Sequence, residues 1–247
     1  MPTVAELTAL YSNFMLGPRP GRAVCEICFD LTDGRARCLR CEHADQWLDA
    51  VVPISYSVAH EQLHHALAGY KRPPNDVARR FELGLAAVLW RYLVGHERCV
   101  AAAAKTPAFE LVTTVPSSTL ERDATHPLHR IVGEVCAPTR SRFERILRRS
   151  GKTTHPRSID PEKFEASVEL SQVSVLLIDD TWTSGANVQS AAQTLKSAGV
   201  VKVAAVVIGR HLHRAWEQND RRLRTLPSPF DWSTCAVHGR SWPAADR

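Results

Sequence analysis

The sequence predicts an α/β protein: a parallel sheet flanked by helices, preceded by a small four-cysteine zinc module and a helical segment. VSVLLIDD (173–180) and VKVAAVVIGR (201–210) are continuous apolar runs, which are typical of buried parallel strands. ANVQSAAQTLKSAG (186–199) lies between them and is amphipathic at helical spacing. Strand, helix and strand in this order form a βαβ unit, which indicates a parallel sheet.

The composition is that of an ordinary globular protein, with 44% hydrophobic and 23% charged residues among 247. The net charge of +5 suits an anionic ligand as well as a nucleic acid. No apolar run approaches the length of a membrane span, and the first residues lack the features of a signal peptide. We therefore expect a cytoplasmic protein without a membrane partner.

Apolar spacing predicts the other elements. VVPISY (51–56) indicates a short strand, and helices are expected over 58–70 and 76–94. FELVTTV (109–115) indicates a buried strand that ends at PSS. A helix with a strongly basic face is expected over roughly 128–149, followed by a long polar loop. The predicted segments are an N-terminal helix in 1–21, the zinc module in 22–46, a helical segment packing on the main domain in 47–104, the main α/β domain in 105–215 and a tail in 216–247.

Four of the seven cysteines form a C-x2-C-x9-C-x2-C pattern: Cys25, Cys28, Cys38 and Cys41. Each C-x2-C knuckle places two thiolates on a tight turn, so that two knuckles can bind one ion tetrahedrally. In a chain without a secretion signal, this pattern indicates zinc rather than disulfides. Because four cysteines leave no open coordination position, the zinc is expected to be structural.

VLLIDDTWTSGAN (175–187) is the segment that indicates a chemistry. Its buried strand ends in Asp179 and Asp180, at the carboxyl edge of the sheet, where open α/β folds bind ligands. Small hydroxyl residues and Gly185 then lead directly into a helix, and the backbone amides of such a turn bind phosphate. Neighbouring carboxylates suit ribose hydroxyls or hydrated Mg²⁺. Sugar and phosphate recognition are therefore expected side by side.

This segment closely resembles the 5-phosphoribosyl-1-pyrophosphate (PRPP) signature of type I phosphoribosyltransferases, in which four apolar and two acidic residues precede a T-[TS]-G turn. The resemblance implies that residues 105–215 form a domain of that fold. It also implies that Asp179 and Asp180 bind the ribose 2′- and 3′-hydroxyls. The residues implied to bind the 5′-phosphate are Thr181, Thr183, Ser184, Gly185, Ala186 and Asn187.

Residues 22–212 look like the ComF family of phosphoribosyltransferase-like proteins, whose members are linked to competence for DNA uptake. The shared order is a four-cysteine module, a helical segment ending in Lys, a V-P-S loop and the PRPP loop. The resemblance implies binding of PRPP with Mg²⁺ and transfer of its phosphoribosyl group to a nitrogenous acceptor, with release of pyrophosphate. It assigns no general base. The residues implied to bind pyrophosphate are Pro116, Ser117, Ser118 and Arg122.

A second hypothesis follows from two departures from the family pattern. HPLHRIVG (126–133) stands where many members carry a Gly-Phe-Asn-Gln-like stretch, and the polar loop after residue 149 matches the family loosely. The alternative is a non-catalytic sensor of PRPP or a nucleotide, or an accessory protein that contacts DNA or a DNA-uptake protein. The basic stretch 140–157 fits a solvated helix face, a loop facing pyrophosphate or a DNA-binding strip.

Two short motifs compete with this interpretation. HEQLHH (60–65) contains the H-E-x-x-H pattern of zinc peptidases, in which two histidines share one helix face. No third ligand is indicated, so we interpret this stretch as a packing helix with His60 and His64 at the surface. GKT (151–153) ends like a phosphate-binding P-loop, but Ile146 stands where the first glycine of that motif is required.

Cys235 and His238 form a C-x2-H pair near the C-terminus. A metal site would need two further ligands, and the sequence indicates none. We interpret the pair as packing residues in a tail that folds back through Phe230 and Trp232.

Overall fold

A four-stranded parallel sheet lies at the centre of the computed structural model, which describes residues 2–117, 119–167, 170–215 and 217–238. The six strands of the described residues are β1 (Ala50–Val58), β2 (Leu111–Thr114), β3 (Leu147–Arg149), β4 (Phe164–Ala166), β5 (Ser174–Trp182) and β6 (Lys202–Leu212). The order in the large sheet is β1-β6-β5-β2, and β3 and β4 form a separate antiparallel pair. The predicted α/β architecture with a parallel sheet is confirmed.

Helices cover both faces of this sheet. The α-helices of the described residues are α1 (Val4–Ser12), α2 (Leu39–His43), α3 (Gln62–Gly69), α4 (Asp76–Ala104), α5 (Leu120–Ala124), α6 (Pro127–Arg130), α7 (Ala137–Arg140), α8 (Ala186–Ser197) and α9 (Glu217–Arg224). A π-helical turn covers Ile131–Val135 and a 3₁₀ turn covers Pro161–Lys163. In the described residues, no helix is both long enough and apolar enough to span a membrane.

The alternating side chains of β5 divide the core between the two faces. Leu176 and Ile178 join a cluster with α1 and α4, whereas Val175 and Leu177 join a cluster with α8 and the four cysteines. A strand whose two faces are both covered is apolar throughout, as the sequence of β5 predicts. Burial of both faces fixes the register of the central strands, because a slip by one residue would exchange their faces.

The register places two loops side by side. Thr114 at the end of β2 pairs with Ile178 of β5, and the amide of Val115 donates to the Ile178 carbonyl. The residues after Val115 therefore leave the sheet next to Asp179. Two segments that are distant in sequence thus meet at the carboxyl edge of the sheet.

The segment 47–104 contributes to the sheet as well as to the helices. Strand β1 confirms the strand expected over 51–56 and pairs in parallel with β6, so that Ala50 lies beside Ala204. The helix expected over 58–70 begins only at Gln62, because β1 continues to Val58. The helix expected over 76–94 continues to Ala104 and ends at Lys105, which adopts a left-handed conformation.

The helix expected over 128–149 is wrong. In its place, α6, the π-helical turn and α7 end at Arg140, and β3 begins at Leu147. Pro138 lies in the first turn of α7, where a proline is tolerated, but it prevents one continuous helix from running through this point. β3 precedes GKT, and the described residues after that motif form no α-helix before α8, so the P-loop arrangement is absent.

The tail packs against the first helix, as its aromatic residues predict. The amide of Phe230 donates to the Ser12 carbonyl at 2.7 Å, and Trp232 Nε1 donates to Ser12 Oγ at 2.8 Å. The guanidinium of Arg91, on α4, lies 4.4 Å from the centre of the Trp232 ring. The last described segment of the chain is therefore attached to both α1 and α4.

Arg210, near the end of β6, connects three parts of the structure. Its side chain is 4% exposed and makes a 2.8 Å ion pair with Asp30. Its Nε donates to the Cys28 carbonyl, and its Nη1 donates to the carbonyls of Trp182 and Thr183 at 3.3 and 3.2 Å. One guanidinium thus binds the cysteine module, the end of β5 and, through the His211 carbonyl at 2.7 Å, the strand from which it comes.

Replacing Arg210 by methionine is expected to lower the free energy of unfolding by about 3 kcal/mol, because a buried ion pair loses one partner. Urea unfolding with zinc present would measure this change. The matched control is Arg148→Met, which breaks an exposed ion pair with Glu165 and is expected to cost less than about 1 kcal/mol. Equal losses of stability in the two variants would contradict the proposed contribution of Arg210 to the free energy of unfolding.

Candidate functional site

A cavity of about 790 Å³ opens where β2 and β5 end. Eight of the residues predicted to bind PRPP line it: Pro116, Ser117, Arg122, Asp179, Asp180, Thr181, Thr183 and Asn187. Ser184, Gly185 and Ala186 complete the same turn without lining the cavity. Ser118 lies outside the described residues. The structure therefore brings the two predicted loops to one cavity.

Asp180 is held in place by residues at the end of α3. Its carboxylate accepts a hydrogen bond from the Tyr70 hydroxyl and lies 2.6 Å from Lys71 Nζ. His126 Nε2 lies 3.9 Å from the same oxygen. Asp180 is 4% exposed, whereas Asp179 is half-buried and open to the cavity. The two carboxylates consequently have different roles available to them.

The pKa values of these two carboxyl groups shift in opposite directions. Burial and the charge of Asp180 raise the pKa of Asp179 to about 8. Burial also disfavours charge on Asp180, but Lys71 and the Tyr70 hydroxyl outweigh it and lower the pKa of Asp180. At neutral pH the pair therefore holds its negative charge mainly on Asp180. A cation or a hydroxyl donor that reaches Asp179 would favour its ionised form.

Gly185 shapes the turn between β5 and α8. Its φ is +79°, and a Cβ at this position would collide with the Trp182 ring. It is the N-cap of α8 but offers no side chain to the amides of the first turn, and the Ala186 amide donates to Ser184 Oγ at 3.3 Å. Such a helix start favours an anion, because its amides and the helix dipole both carry positive partial charge.

Asp123 positions the loop that follows β2. Its Oδ1 accepts a 2.7 Å hydrogen bond from the Ser117 amide, and its Oδ2 lies 2.9 Å from the guanidinium of Arg145. Burial opposes its ionisation, but His129 and the Ser117 amide outweigh burial and lower the pKa of Asp123. The side chain is a positioning group, because it fixes the backbone that turns toward the cavity.

Three histidines line the cavity as uncharged rings at neutral pH. Burial lowers the pKa of His126 to about 4, with help from Lys71 and against the charge of Asp180. Burial and neighbouring histidines also lower the pKa values of His64 and His211. The positive charge among the residues lining this cavity therefore comes from Lys71 and Arg122.

The described residues do not form a zinc-peptidase arrangement around HEQLHH. His60 precedes α3 and has a φ of +68°, whereas His64 lies within that helix. The His60 amide donates to His64 Nδ1 at 3.3 Å. His60 lies before the first residue of α3, so the two histidines do not share a helix face. His60 is exposed as expected, but His64 is half-buried at the cavity.

The four cysteines of the N-terminal module lie together and are buried. Their sulfur atoms are all within 4.8 Å of one another, and the sulfurs of Cys28 and Cys38 are 3.7 Å apart. A tetrahedral zinc site with Zn–S bonds of about 2.3 Å has sulfur–sulfur edges of about 3.8 Å. The donor set and the spacing therefore fit, and the cluster can hold a structural metal ion such as zinc.

Four of the seven arginine and lysine side chains in the basic stretch 140–157 form ion pairs with acidic residues. Its ion pairs are Arg142–Glu97, Arg145–Asp123, Arg148–Glu165 and Lys152–Glu162. These side chains leave from different elements and point to separate partners, so the expected face of a single basic helix does not form. The loop that follows is anchored to α8, since the Asp160 amide donates to Ser190 Oγ at 2.9 Å.

The buried Lys163 fixes the other end of this loop. Its ammonium group donates to the carbonyls of Pro156 and Ser158 and lies 3.3 Å from Asn187 Oδ1. Burial and the charge of Arg149 lower its pKa. The polar loop is thereby connected to Asn187, which lines the cavity.

Sequence analysis missed Tyr70 and Asp123 as site residues, and it assigned no role to Lys71. Tyr70 carries the apolar signal of a packing position, and only the fold shows that its hydroxyl reaches Asp180. Asp123 lies in a polar connection without a motif. For Lys71 the resemblance did offer an indication, because the helical segment in the family that the sequence resembles ends in a lysine at this place.

Comparison with known proteins adds no family assignment. No protein-family model matches the sequence, and no curated protein matches it.

Replacing Cys38 by serine is expected to remove one zinc ion per chain, because three thiolates with one hydroxyl bind zinc more weakly than four thiolates. Metal content of the purified chain measured by mass spectrometry would test this. The matched control is Cys136→Ala, a buried cysteine outside the four-cysteine module. An unchanged zinc content in Cys38→Ser would show that the module binds no zinc.

Proposed function

We propose that the cavity binds PRPP together with Mg²⁺ and that the protein transfers the phosphoribosyl group to a nitrogenous acceptor. The observation that carries the proposal is the meeting of the Asp179–Asp180 pair with the amide-rich turn at the start of α8, in one cavity. A carboxylate pair next to an anion-binding turn matches the two halves of a ribose 5-phosphate.

Different residues of the cavity are proposed to bind the ribose, the 5′-phosphate and the pyrophosphate of PRPP. Asp179 faces the cavity and is available to ribose hydroxyls, while Asp180 is oriented by Tyr70 and Lys71. The turn from Thr181 to Asn187 is placed to bind the 5′-phosphate. The pyrophosphate would lie toward Ser117, Lys71 and Arg122, where the positive charge of the cavity is found.

Asp179 is also the carboxylate that would hold hydrated Mg²⁺ with the ligand, since oxygen donors of this kind suit that ion. When bound, Mg²⁺ supplies positive charge that offsets the charge of the pyrophosphate. The residues of the chain hold the sugar and orient the leaving group. The Asp123 contact keeps the Ser117 loop in position for this task.

In the proposed reaction the bond between ribose C1 and a pyrophosphate oxygen breaks, and a bond between C1 and the acceptor nitrogen forms. The electron pair of the broken bond leaves with pyrophosphate, and the nitrogen loses one proton to solvent. Positive groups near the leaving oxygen stabilise the charge that develops there. No residue is assigned as general base.

The order of elements supports a type I phosphoribosyltransferase domain of the ComF kind. β2 leads into the proposed pyrophosphate loop, and β5, α8 and β6 follow as a βαβ unit around the proposed PRPP turn. We propose zinc as the ion of the four-cysteine module, because four buried thiolates prefer this metal and complete its coordination.

One observation favours a non-catalytic sensor as the second candidate. Asp180 already accepts from Tyr70 and pairs with Lys71, so part of its capacity for ribose hydroxyls is used within the protein. Pyrophosphate release during incubation of PRPP with a panel of nitrogenous bases separates the two. Release would support the transferase, whereas PRPP binding without release would support the sensor.

Calorimetric titration of PRPP with Mg²⁺ tests the binding site. We expect binding by the wild type and at least tenfold weaker binding by Asp179→Asn, because a charge-assisted hydrogen bond is lost. The Asp179→Asn/Asp180→Asn double variant is expected to lose binding entirely. The matched control is Asp33→Asn, an exposed position in the cysteine module. Absence of binding by the wild type would refute the proposal.

Binding of PRPP with Mg²⁺ is expected to strengthen as the pH rises from 7 toward 9. The ionised form of Asp179 binds the cation and the hydroxyls, and its pKa of about 8 means that this form becomes dominant above that pH. The change is at most about tenfold per pH unit for one group. Titrations at several pH values would measure it, and Asp179→Asn should remove the dependence. A wild type that shows no such rise would contradict this role of Asp179.

A further inference from the structure

A second cluster of cysteine and histidine joins helix α4 to the C-terminal part of the chain. Its members are His96, Cys99, Cys235 and His238, and their potential ligand atoms all lie within 4.8 Å of one another. The four-cysteine module shares no residue with this cluster. The C-x2-H pair of the tail therefore has the two partners that the sequence could not indicate.

Local structure brings each pair of donors together. His96 and Cys99 are three residues apart on α4, so they lie on the same face of the helix. Cys235 and His238 lie on a tight turn, in which the His238 amide donates to the Cys235 carbonyl at 3.0 Å. This turn places Cys235 Sγ 3.2 Å from His238 Nδ1. Each pair thus resembles one knuckle of a metal site.

The ring of His96 is oriented by the backbone of the tail. Its Nε2 lies 2.9 Å from the Trp232 carbonyl, which can only accept, so Nε2 carries the proton. Nδ1 is then the unprotonated nitrogen, and it lies 4.0 Å from Cys99 Sγ. Metal-binding histidines commonly donate their second ring nitrogen to a carbonyl in this way, because the bond fixes the tautomer and the ring orientation.

The distances between the donor atoms are close to those of a tetrahedral site. With Zn–S bonds of about 2.3 Å and Zn–N bonds of about 2.0–2.1 Å, the edges of the tetrahedron are about 3.4–3.8 Å. Two sulfur–nitrogen distances in the cluster, 3.2 and 4.0 Å, lie on either side of this range. Two thiolates and two imidazoles form an S₂N₂ donor set, for which zinc is the preferred divalent ion in tetrahedral geometry.

The residues around the cluster also favour a metal site over a group of polar side chains that are only packed together. The hydroxyl of Tyr92 is fully buried near Cys235 and has no hydrogen-bond partner among the described residues. A metal-bound thiolate would be a stronger acceptor for this hydroxyl than a thiol. His96 and Cys235 are buried, while Cys99 is half-buried and His238 is exposed. An ion can therefore reach the cluster from the side of His238.

We propose that His96, Cys99, Cys235 and His238 bind a structural zinc ion that fastens the C-terminal tail to α4. The ion would add to the contacts of Phe230 and Trp232 with Ser12, which hold the same tail. Because one ligand pair comes from α4 and the other from the tail, the ion closes a long stretch of chain that contains the whole βαβ unit.

Metal analysis of the full chain, purified with zinc present, tests the proposal. We expect two zinc ions per chain in the wild type and one in Cys235→Ser, and we expect Cys136→Ala to retain two. The exposed His238→Ala variant keeps the core intact, so it serves if Cys235→Ser fails to fold. It should release one of its two ions to a chelator more readily than the wild type does.

Two further readouts make the test decisive. Hydrogen exchange over residues 228–238 should become faster in His238→Ala, because the tail loses one attachment. In cobalt-substituted protein, Cys235→Ser should lose the charge-transfer absorption of the thiolates in this cluster while that of the four-cysteine module remains. A zinc content that is the same in the wild type and in Cys235→Ser would overturn the proposal, as would a His238→Ala variant that loses zinc to the chelator no faster than the wild type, or a disulfide between Cys99 and Cys235 in the purified chain.

Discussion

The arrangement of the candidate site depends on the contacts that the buried guanidinium of Arg210 makes. Buried arginine requires partners for its donors, because unpaired charge in the interior is costly. Here the partners are Asp30, the Cys28 carbonyl and the carbonyls of Trp182 and Thr183. The last two belong to the turn that we propose binds phosphate. A single buried charge thus sets the position of the cysteine module relative to that turn.

The positive charge of Arg210 also affects the cysteine module electrostatically. A zinc ion held by four thiolates carries a net charge of −2, and Arg210 Nη2 lies 3.9 Å from Cys28 Sγ. Hydrogen bonds and positive charge around such sulfurs stabilise the metal-bound thiolates. Arg210 therefore acts on the module and on the turn with the same group. The module is packed into the core cluster of α8 and is no independent appendage.

Local patterns allowed much of the fold and part of the site to be predicted. The apolar runs of β5 and β6, the amphipathic α8 and the cysteine knuckles were recognisable because each depends on nearby residues. The basic helix over 128–149 was wrong, since Pro138 and separate acidic partners such as Glu97 and Asp123 override the local periodicity. Tyr70, Asp123 and Arg210 act through partners far along the sequence, and no local pattern encodes those contacts. His96 and Cys99 were missed as partners of Cys235 for the same reason.

The pairing of β1 with β6 has a consequence for how the chain is made. Of the described strands, β1 is synthesised first, but its only neighbour among them, β6, is synthesised last. Ala50 can therefore pair with Ala204 only after β6 has been made, so the large sheet cannot be complete until Leu212 has been synthesised. Such non-local pairing slows folding and leaves an apolar strand exposed on the nascent chain. The cysteine module, whose knuckles are local, can take up a metal ion before β6 has been made, and it would then have a fixed shape while β1 is still unpaired.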